Sequence, residues 1–326
     1  MPITTPLTQL LGITHPILLA PMDVIAGCRL VKAVSHAGGF GVLGGGYGER
    51  AWLERETAKL AGFAAPFGIG FITWSLAKRP ELLDIALAAK PSAIMLSFGD
   101  PAPFASRIKS AGARLICQVQ DEAMARQALD AGADVLIAQG TEAGGHGATR
   151  TTVDLVPAIV DLAAGRVPVV AAGGIADGRG LAAMMMLGAS GVLLGTRFYA
   201  SQEADGADEA KRRICAATSG STVRGIVFDL SRNNVWPAPF TGRCLVNDHA
   251  RRWIGREVEL MQNVAAVAAD YAVAREAGNF DIAAVIAGEA VGLIHDIPPA
   301  AEIVERIAVE AEQVLAGRRN SIVSAA

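Results

Sequence analysis

The residues best placed to do chemistry lie in one stretch, Gln139-Gly140-Thr141-Glu142-Ala143-Gly144-Gly145-His146-Gly147. His146 is the one histidine in the middle of the chain, and an imidazole titrates near neutral pH, so it can take or return a proton. The four glycines around it let backbone approach a bulky or flat group closely, and Gln139 offers a paired donor and acceptor. Glu142 is the carboxylate beside the histidine; it either anchors the loop or tunes His146. The bland alternative for the whole stretch is a glycine-rich turn carrying a surface histidine.

The segment before it, 134–138, is a short apolar run that reads as a buried strand emptying into this loop. The same unit recurs. Ala37-Gly38-Gly39, Ala111-Gly112-Ala113, Ala131-Gly132-Ala133 and Leu187-Gly188-Ala189 each follow a helical pattern and precede an apolar run. Glycine there suits the left-handed residue that ends a helix. Eight runs read as parallel strands buried on both faces: 16–20, 40–43, 67–72, 93–97, 114–118, 134–138, 168–172 and 191–195. Helical patterns lie between them, with Asp121 and Asp177 as expected N-caps. The expected fold is therefore an α/β (β/α)8 TIM barrel. A mostly helical insertion, 200–299, falls between strand 8 and helix 8, and the barrel comprises 1–199 and 300–326. The insertion lies on the catalytic face, either as a lid and substrate wall, with Trp236, Pro237, Pro239 and Phe240 as apolar lining, or as a packing element.

Barrel sites form where strands end. Those ends carry Pro21 and Met22, Gly70, Gln118, Gln139, Gly144 and Gly145, Gly173 and Gly174, and Leu193, Leu194, Gly195 and Thr196. Loops 7 and 8 are where barrels hold a phosphate, so Gly173-Gly174 and Gly195-Thr196 read as a phosphate cup. A nucleotide or sugar phosphate would use the same cup. With amides and glycines around the mouth, FMN is the economical occupant: one phosphate and one flat ring, with His146 above it. His15, His36, His249 and His295 read as structural or solvated, though His249 would line the pocket if the insertion is a lid.

Composition excludes several classes. The net charge of −3 gives no nucleic-acid footprint. The four cysteines, Cys28, Cys117, Cys215 and Cys244, lack CxxC spacing and read as free thiols in a reducing compartment, with no metal site expected. No membrane span or leader is expected, so the reading is cytoplasmic.

Residues 139–146, with Ala172-Gly173-Gly174-Ile175-Ala176-Asp177-Gly178-Arg179-Gly180, Leu194-Gly195-Thr196-Arg197-Phe198 and the early His15-Pro16-Ile17 and Ala20-Pro21-Met22, resemble the nitronate monooxygenase family, formerly 2-nitropropane dioxygenases. Flavin-dependent enoyl-ACP reductases share two of these signatures. The resemblance implies an FMN-bearing barrel, flavin contacts at Gln139, Gly144, Gly174 and 193–196, and His146 as catalytic base. It implies oxidative denitrification of nitroalkanes or alkyl nitronates with O2 to a carbonyl compound and nitrite. The alternative is an NAD(P)H-dependent FMN reductase acting on an enoyl thioester or quinone. Partners would be a small-molecule substrate and O2; a homodimer is left open. The chain departs from the family's pattern at Gly70, where Asn is common, at Leu193, where Gln is common, and at Gly147-Ala148, where Arg-Gly is common.

Overall fold

The computed structural model describes residues 2–323, with side chains described to Gly317. The expected barrel forms. Its eight parallel strands are β1 (Ile17–Leu19), β2 (Gly41–Gly44), β3 (Phe67–Ile72), β4 (Ala93–Ser97), β5 (Arg114–Val119), β6 (Val135–Gln139), β8 (Val169–Ala172) and β9 (Gly191–Leu194); β7 (Gly145–Gly147) lies between β6 and β8 in sequence but outside the barrel. Around the sheet the order is β1-β9-β8-β6-β5-β4-β3-β2. A parallel bridge between Leu18 and Phe40 joins the two ends, with Leu19 N–H donating to the Phe40 carbonyl at 2.9 Å. Closure leaves no unpaired edge for another chain to add to.

The strands are apolar on both faces because each face has its own core. Leu18, Val42, Met95, Ile116, Ile137, Val170 and Leu193 fill the barrel interior. Their neighbours Leu19, Leu43, Leu96, Leu115, Leu136, Val169 and Leu194 meet the surrounding helices. The predicted punctuation holds: Gly38, Gly112, Gly132 and Gly188 follow helix ends with φ between 79° and 94°. Asp121 and Asp177 cap their helices by accepting from Met124 and Gly180 N–H.

An additional helix, Pro6–Leu11, was not read from the sequence. Thr5 and Thr8 cap it reciprocally, and it sends Leu7 and Leu11 into the barrel interior, plugging the end opposite the site.

After β9 the chain runs through helices Asp208–Ala216, Val227–Ser231, Asp248–Trp253, Glu257–Gln262 and Val264–Glu276. It also makes two strands, β10 (Thr222–Gly225) and β11 (Thr241–Leu245), that the helical expectation for this segment did not contain. The final helix, Ala300–Val323, packs on helices Gly178–Met186 and Cys28–His36 and takes the eighth position around the barrel. Residues 324–326 of the expected barrel segment lie outside the described residues. Gly178 permits the contact: a Cβ there would sit 2.4 Å from the Ala311 backbone nitrogen. Burial of Ile303, Val304 and Ile307 contributes about 1.5–3 kcal/mol each to this docking.

Candidate active site

His146 does not sit in a free loop, as its glycine-rich surroundings suggested. Residues Gly145–Gly147 form β7, which pairs antiparallel with β11, and β11 pairs with β10, so the segment after the barrel supplies a three-stranded sheet that grips the histidine. The reason is a half-buried arginine. The Arg224 guanidinium, on β10, donates to the carbonyls of Thr141 at 2.8 Å, Ala143 at 3.0 Å, Gly147 at 3.3 Å and Gly145 at 3.4 Å, and also to Thr241. One side chain thus bonds to four carbonyls of the 141–147 turn. Burial, with help from neighbouring Arg243, pulls its pKa down to about 10. From the barrel side, Gln139 Nε2 donates to the His146 carbonyl at 3.0 Å, and Gln139 Oε1 accepts from Gln118 and Gln120 at 3.1 and 2.8 Å.

The imidazole itself is 9% exposed, and its Nε2 lies 2.9 Å from Asp229 Oδ2. Asp229 is held in turn by Arg232, whose Nη2 donates to Oδ1 at 3.0 Å. Trp236 lies flat on the imidazole, ring centroids 3.5 Å apart at 5°, and its Nε1 donates to the Tyr47 hydroxyl at 2.8 Å. Burial under this cover lowers the His146 pKa, with Asp229 opposing and Arg232 reinforcing the shift. The ring is therefore neutral at pH 7. With Nε2–H assigned as the donor to Asp229, Nδ1 carries the lone pair and is the atom that can accept a proton.

Pro21, Met22, Gly70, Gln118, Gln139, Gly144, Gly145 and His146 all line one cavity of about 400 Å³ at the C-terminal end of the strands. Of the four apolar residues weighed as a wall, Trp236 lines it, and Pro237, Pro239 and Phe240 do not. Gly173, Gly174, Leu193, Leu194, Gly195 and Thr196 lie outside its walls. Leu193 belongs to the barrel interior and Leu194 to the outer core. Gly173 and Gly174 adopt φ of 107° and 72° beneath residues 140–143. A Cβ at Gly195 would lie within 4 Å of Ala20 and Met22, which do line the cavity, and Thr196 Oγ1 accepts from Gly288 N–H at 2.9 Å.

Glu142 is the loop anchor of the two roles open to it. Its carboxylate accepts from Thr152 N–H at 2.9 Å and from Thr152 Oγ1 at 2.8 Å. His249 is buried against Ser231 Oγ at 2.8 Å and stacks on Phe228, outside the cavity walls. Sequence reasoning missed Asp229, Arg232, Asp23, Tyr47 and Ser97, of which all but Asp229 are cavity walls. Asp229 lies 83 positions from His146, so no local spacing connects them; the available signal was a carboxylate inside the apolar run 227–230. Burial raises the Asp23 pKa. Among the described residues there is no cluster of metal-ligating side chains, and no helix is long and apolar enough to cross a membrane.

A sequence profile of the nitronate monooxygenase family matches residues 4–84 and 72–310. A nitronate monooxygenase, npaC, from Metarhizium robertsii is 34% identical, covering 92% of this chain and 91% of its own. A Mycobacterium tuberculosis protein named (3aS,4S,5R,7aS)-5-hydroxy-7a-methyl-1-oxo-octahydro-1H-indene-4-carboxyl-CoA dehydrogenase is 30% identical, covering 95% of this chain and 97% of its own. Among solved structures, FabK from Thermotoga maritima superposes with a TM-score of 0.86 at 32% identity, over 98% of this chain and 99% of its own. The chain belongs to the nitronate monooxygenase family and is an oxidoreductase.

Proposed function

We propose that the protein is an FMN-dependent nitronate monooxygenase that converts nitroalkanes or alkyl nitronates, with O2, to a carbonyl compound and nitrite. The observation that carries this reading is His146 on the wall of the main cavity, paired with Asp229 behind it. A buried neutral imidazole with Nε2 tied to a carboxylate is a general base oriented through Nδ1. It takes the proton α to the nitro group, and the N–H···O bond to Asp229 stabilises the imidazolium that results. With a preformed nitronate that step is dispensable.

The residues present fit FMN. The cavity is of the size that holds a cofactor ring. Ser97 Oγ in its wall is buried without a hydrogen-bond partner, so it is available to the polar edge of a heterocycle. Gly145 adds no side chain to the wall. Pro21, Met22, Gly70, Gln118, Gln139, Gly144 and Gly145 would hold the ring, and Gly173, Gly174, Gly195 and Thr196, with the backbone of Leu193 and Leu194, would hold the phosphate end. When bound, FMN supplies the electron transfer and reaction with O2 that complete denitrification.

The likeness to FabK and to the CoA-ester dehydrogenase over nearly the whole chain favours a second reading, an NAD(P)H-dependent flavin reductase acting on an enoyl thioester or quinone. Anaerobic mixing separates the two. Flavin bleaching by ethylnitronate, with none by NADH or NADPH, is the expected result; rapid bleaching by either nicotinamide overturns it in favour of the reductase. A colourless protein that releases no flavin on denaturation would overturn both.

A further inference from the structure

Tyr47 lines the main cavity and takes no part in the chemistry described so far. It is a central residue of the tight turn after β2, in which Gly48 N–H donates to the Gly45 carbonyl at 2.9 Å. Its own carbonyl accepts from Ser75 Oγ at 3.0 Å and from Arg79 Nη2 at 2.9 Å, so the segment after β3 fixes its backbone. Gly46, just before it, holds φ 45°, and a Cβ there would collide with the Asp23 carboxylate. The phenol is thus placed by main-chain contacts on both sides, before any ligand arrives.

Its hydroxyl oxygen accepts from Trp236 Nε1 at 2.8 Å, its one partner among the described residues. A phenol both accepts and donates, so the O–H proton is unspent. The nearby carboxylates do not take it. Asp229 is engaged through its two oxygens by His146 and Arg232, and Asp23 faces the Tyr47 backbone N–H. Burial raises the Tyr47 pKa, so the hydroxyl keeps its proton at neutral pH. The bond it accepts polarises it and strengthens the one it can donate. The indole that donates to it also lies flat on His146. One side chain therefore ties this donor to the base, and all three line the same cavity.

We infer that Tyr47 is a second catalytic residue, whose O–H donates to the nitro oxygen on which charge builds as His146 removes the α proton. In that step the proton goes to His146 Nδ1, the C–H electron pair becomes the C=N bond, and the displaced N=O pair settles on an oxygen. Tyr47 keeps its proton throughout and stabilises the new charge, as a preorganised donor does. The identity of the substrate rests on the function proposed above; the donor itself is tested without it.

Tyr47→Phe keeps the ring and removes the hydroxyl. On nitroethane kcat/KM falls about 10- to 150-fold, and the rate effect of deuterium at C1 grows because proton removal becomes slower. On preformed ethylnitronate the charge is already present, so KM rises and kcat holds. An equal loss of kcat on both substrates overturns the inference. The second measurement needs no turnover: binding of propionate, which has the heavy-atom skeleton of ethylnitronate and its charge, followed by ligand-observed NMR. Wild type binds it, Tyr47→Phe weakens binding at least about tenfold, and Trp236→Phe, which removes only the N–H donated to Tyr47 and keeps an aromatic ring, holds most of the affinity. Equal losses in the two variants reduce Tyr47 to an anchor for Trp236 and overturn its role as donor, as does propionate binding that is absent from folded wild type or unchanged in Tyr47→Phe. The expected propionate pattern in a protein that turns over no nitroalkane keeps the donor and removes only the proposed activity.

Discussion

Asp229→Asn is the substitution that asks most of the proposed site. It changes one carboxylate oxygen to an amide, keeps the side chain's shape, and removes the charge from the 2.9 Å contact with His146. A hydrogen bond to a charged partner contributes about 1.5–3 kcal/mol, which corresponds to a roughly 10- to 150-fold loss of kcat/KM where the imidazolium forms. The pH dependence carries the sign. In the proposed mechanism His146 works as the neutral base, so activity rises with pH through its pKa. Asp229 holds that pKa up against burial, and Arg232 pushes it down. The Asn variant loses the first influence and leaves the Arg232 charge uncompensated, so its pKa falls further. The acidic limb of kcat/KM for nitroethane therefore moves to lower pH while the plateau drops. Oxygen consumption with nitroethane and with ethylnitronate, from pH 5.5 to 9, checks both. An acidic limb that moves upward, or an equal loss on preformed nitronate, refutes the base assignment.

Glu142→Gln weakens the anchor on Thr152 and costs about 1–2 kcal/mol in urea unfolding, yet leaves the acidic limb of the rate profile in place; a shifted limb would make Glu142 a tuner of His146 after all. Arg224→Lys cannot reach the five carbonyls its guanidinium spans, so kcat on nitroethane falls while ethylnitronate turnover is held better, and a proportional loss on both would reduce Arg224 to a packing role. Gly70→Asn, which introduces the residue common in the family, places a Cβ 2.4 Å from the Pro21 Cβ; it destabilises by about 1–3 kcal/mol and does not improve flavin retention, which denaturation and flavin-release assays measure. His15, His146 and His249 all have pKa values lowered by burial, so the unfolded chain binds more protons below about pH 6.5; melting temperature is flat above that pH and falls as pH drops through the lowered native values, and a flat profile from pH 5 to 7 would refute it.

The barrel was legible because its signals are local. Each strand is a run apolar on both faces, and a left-handed glycine closes the helix before several of them, so a short window of sequence holds the evidence for each unit. His146 was legible for the same reason, as one titratable group where β6 empties. The segment after β9 gives no such signals. Thr222–Gly225 is half-buried along its whole length, so it has neither the alternation of a half-exposed strand nor the continuous apolarity of a buried one. It becomes a strand because it pairs with β11, which in turn pairs with β7 between residues 94 to 98 apart in the chain. The helix Pro6–Leu11 was missed for a different reason: six residues are too few to show a helical period, and only the Thr5 cap and Pro6 mark it.

The division between what was read and what was missed follows the way the site is built. A barrel strand can deliver an imidazole to the mouth, but Gly144, Gly145 and Gly147 leave the backbone around it free to take many conformations, and a base in many orientations is a poor one. Something must remove that freedom without filling the cavity. Arg224 does so by bonding to carbonyls and adding no bulk beside the ring, and Asp229 does so by fixing which nitrogen carries the proton. Both come from 222–231, the segment between the barrel's last strand and its last helix. The glycines that make room for a ligand are therefore the reason a second piece of chain has to supply the order. In a barrel of this kind, the positioning residues are to be sought where the βα repeat stops.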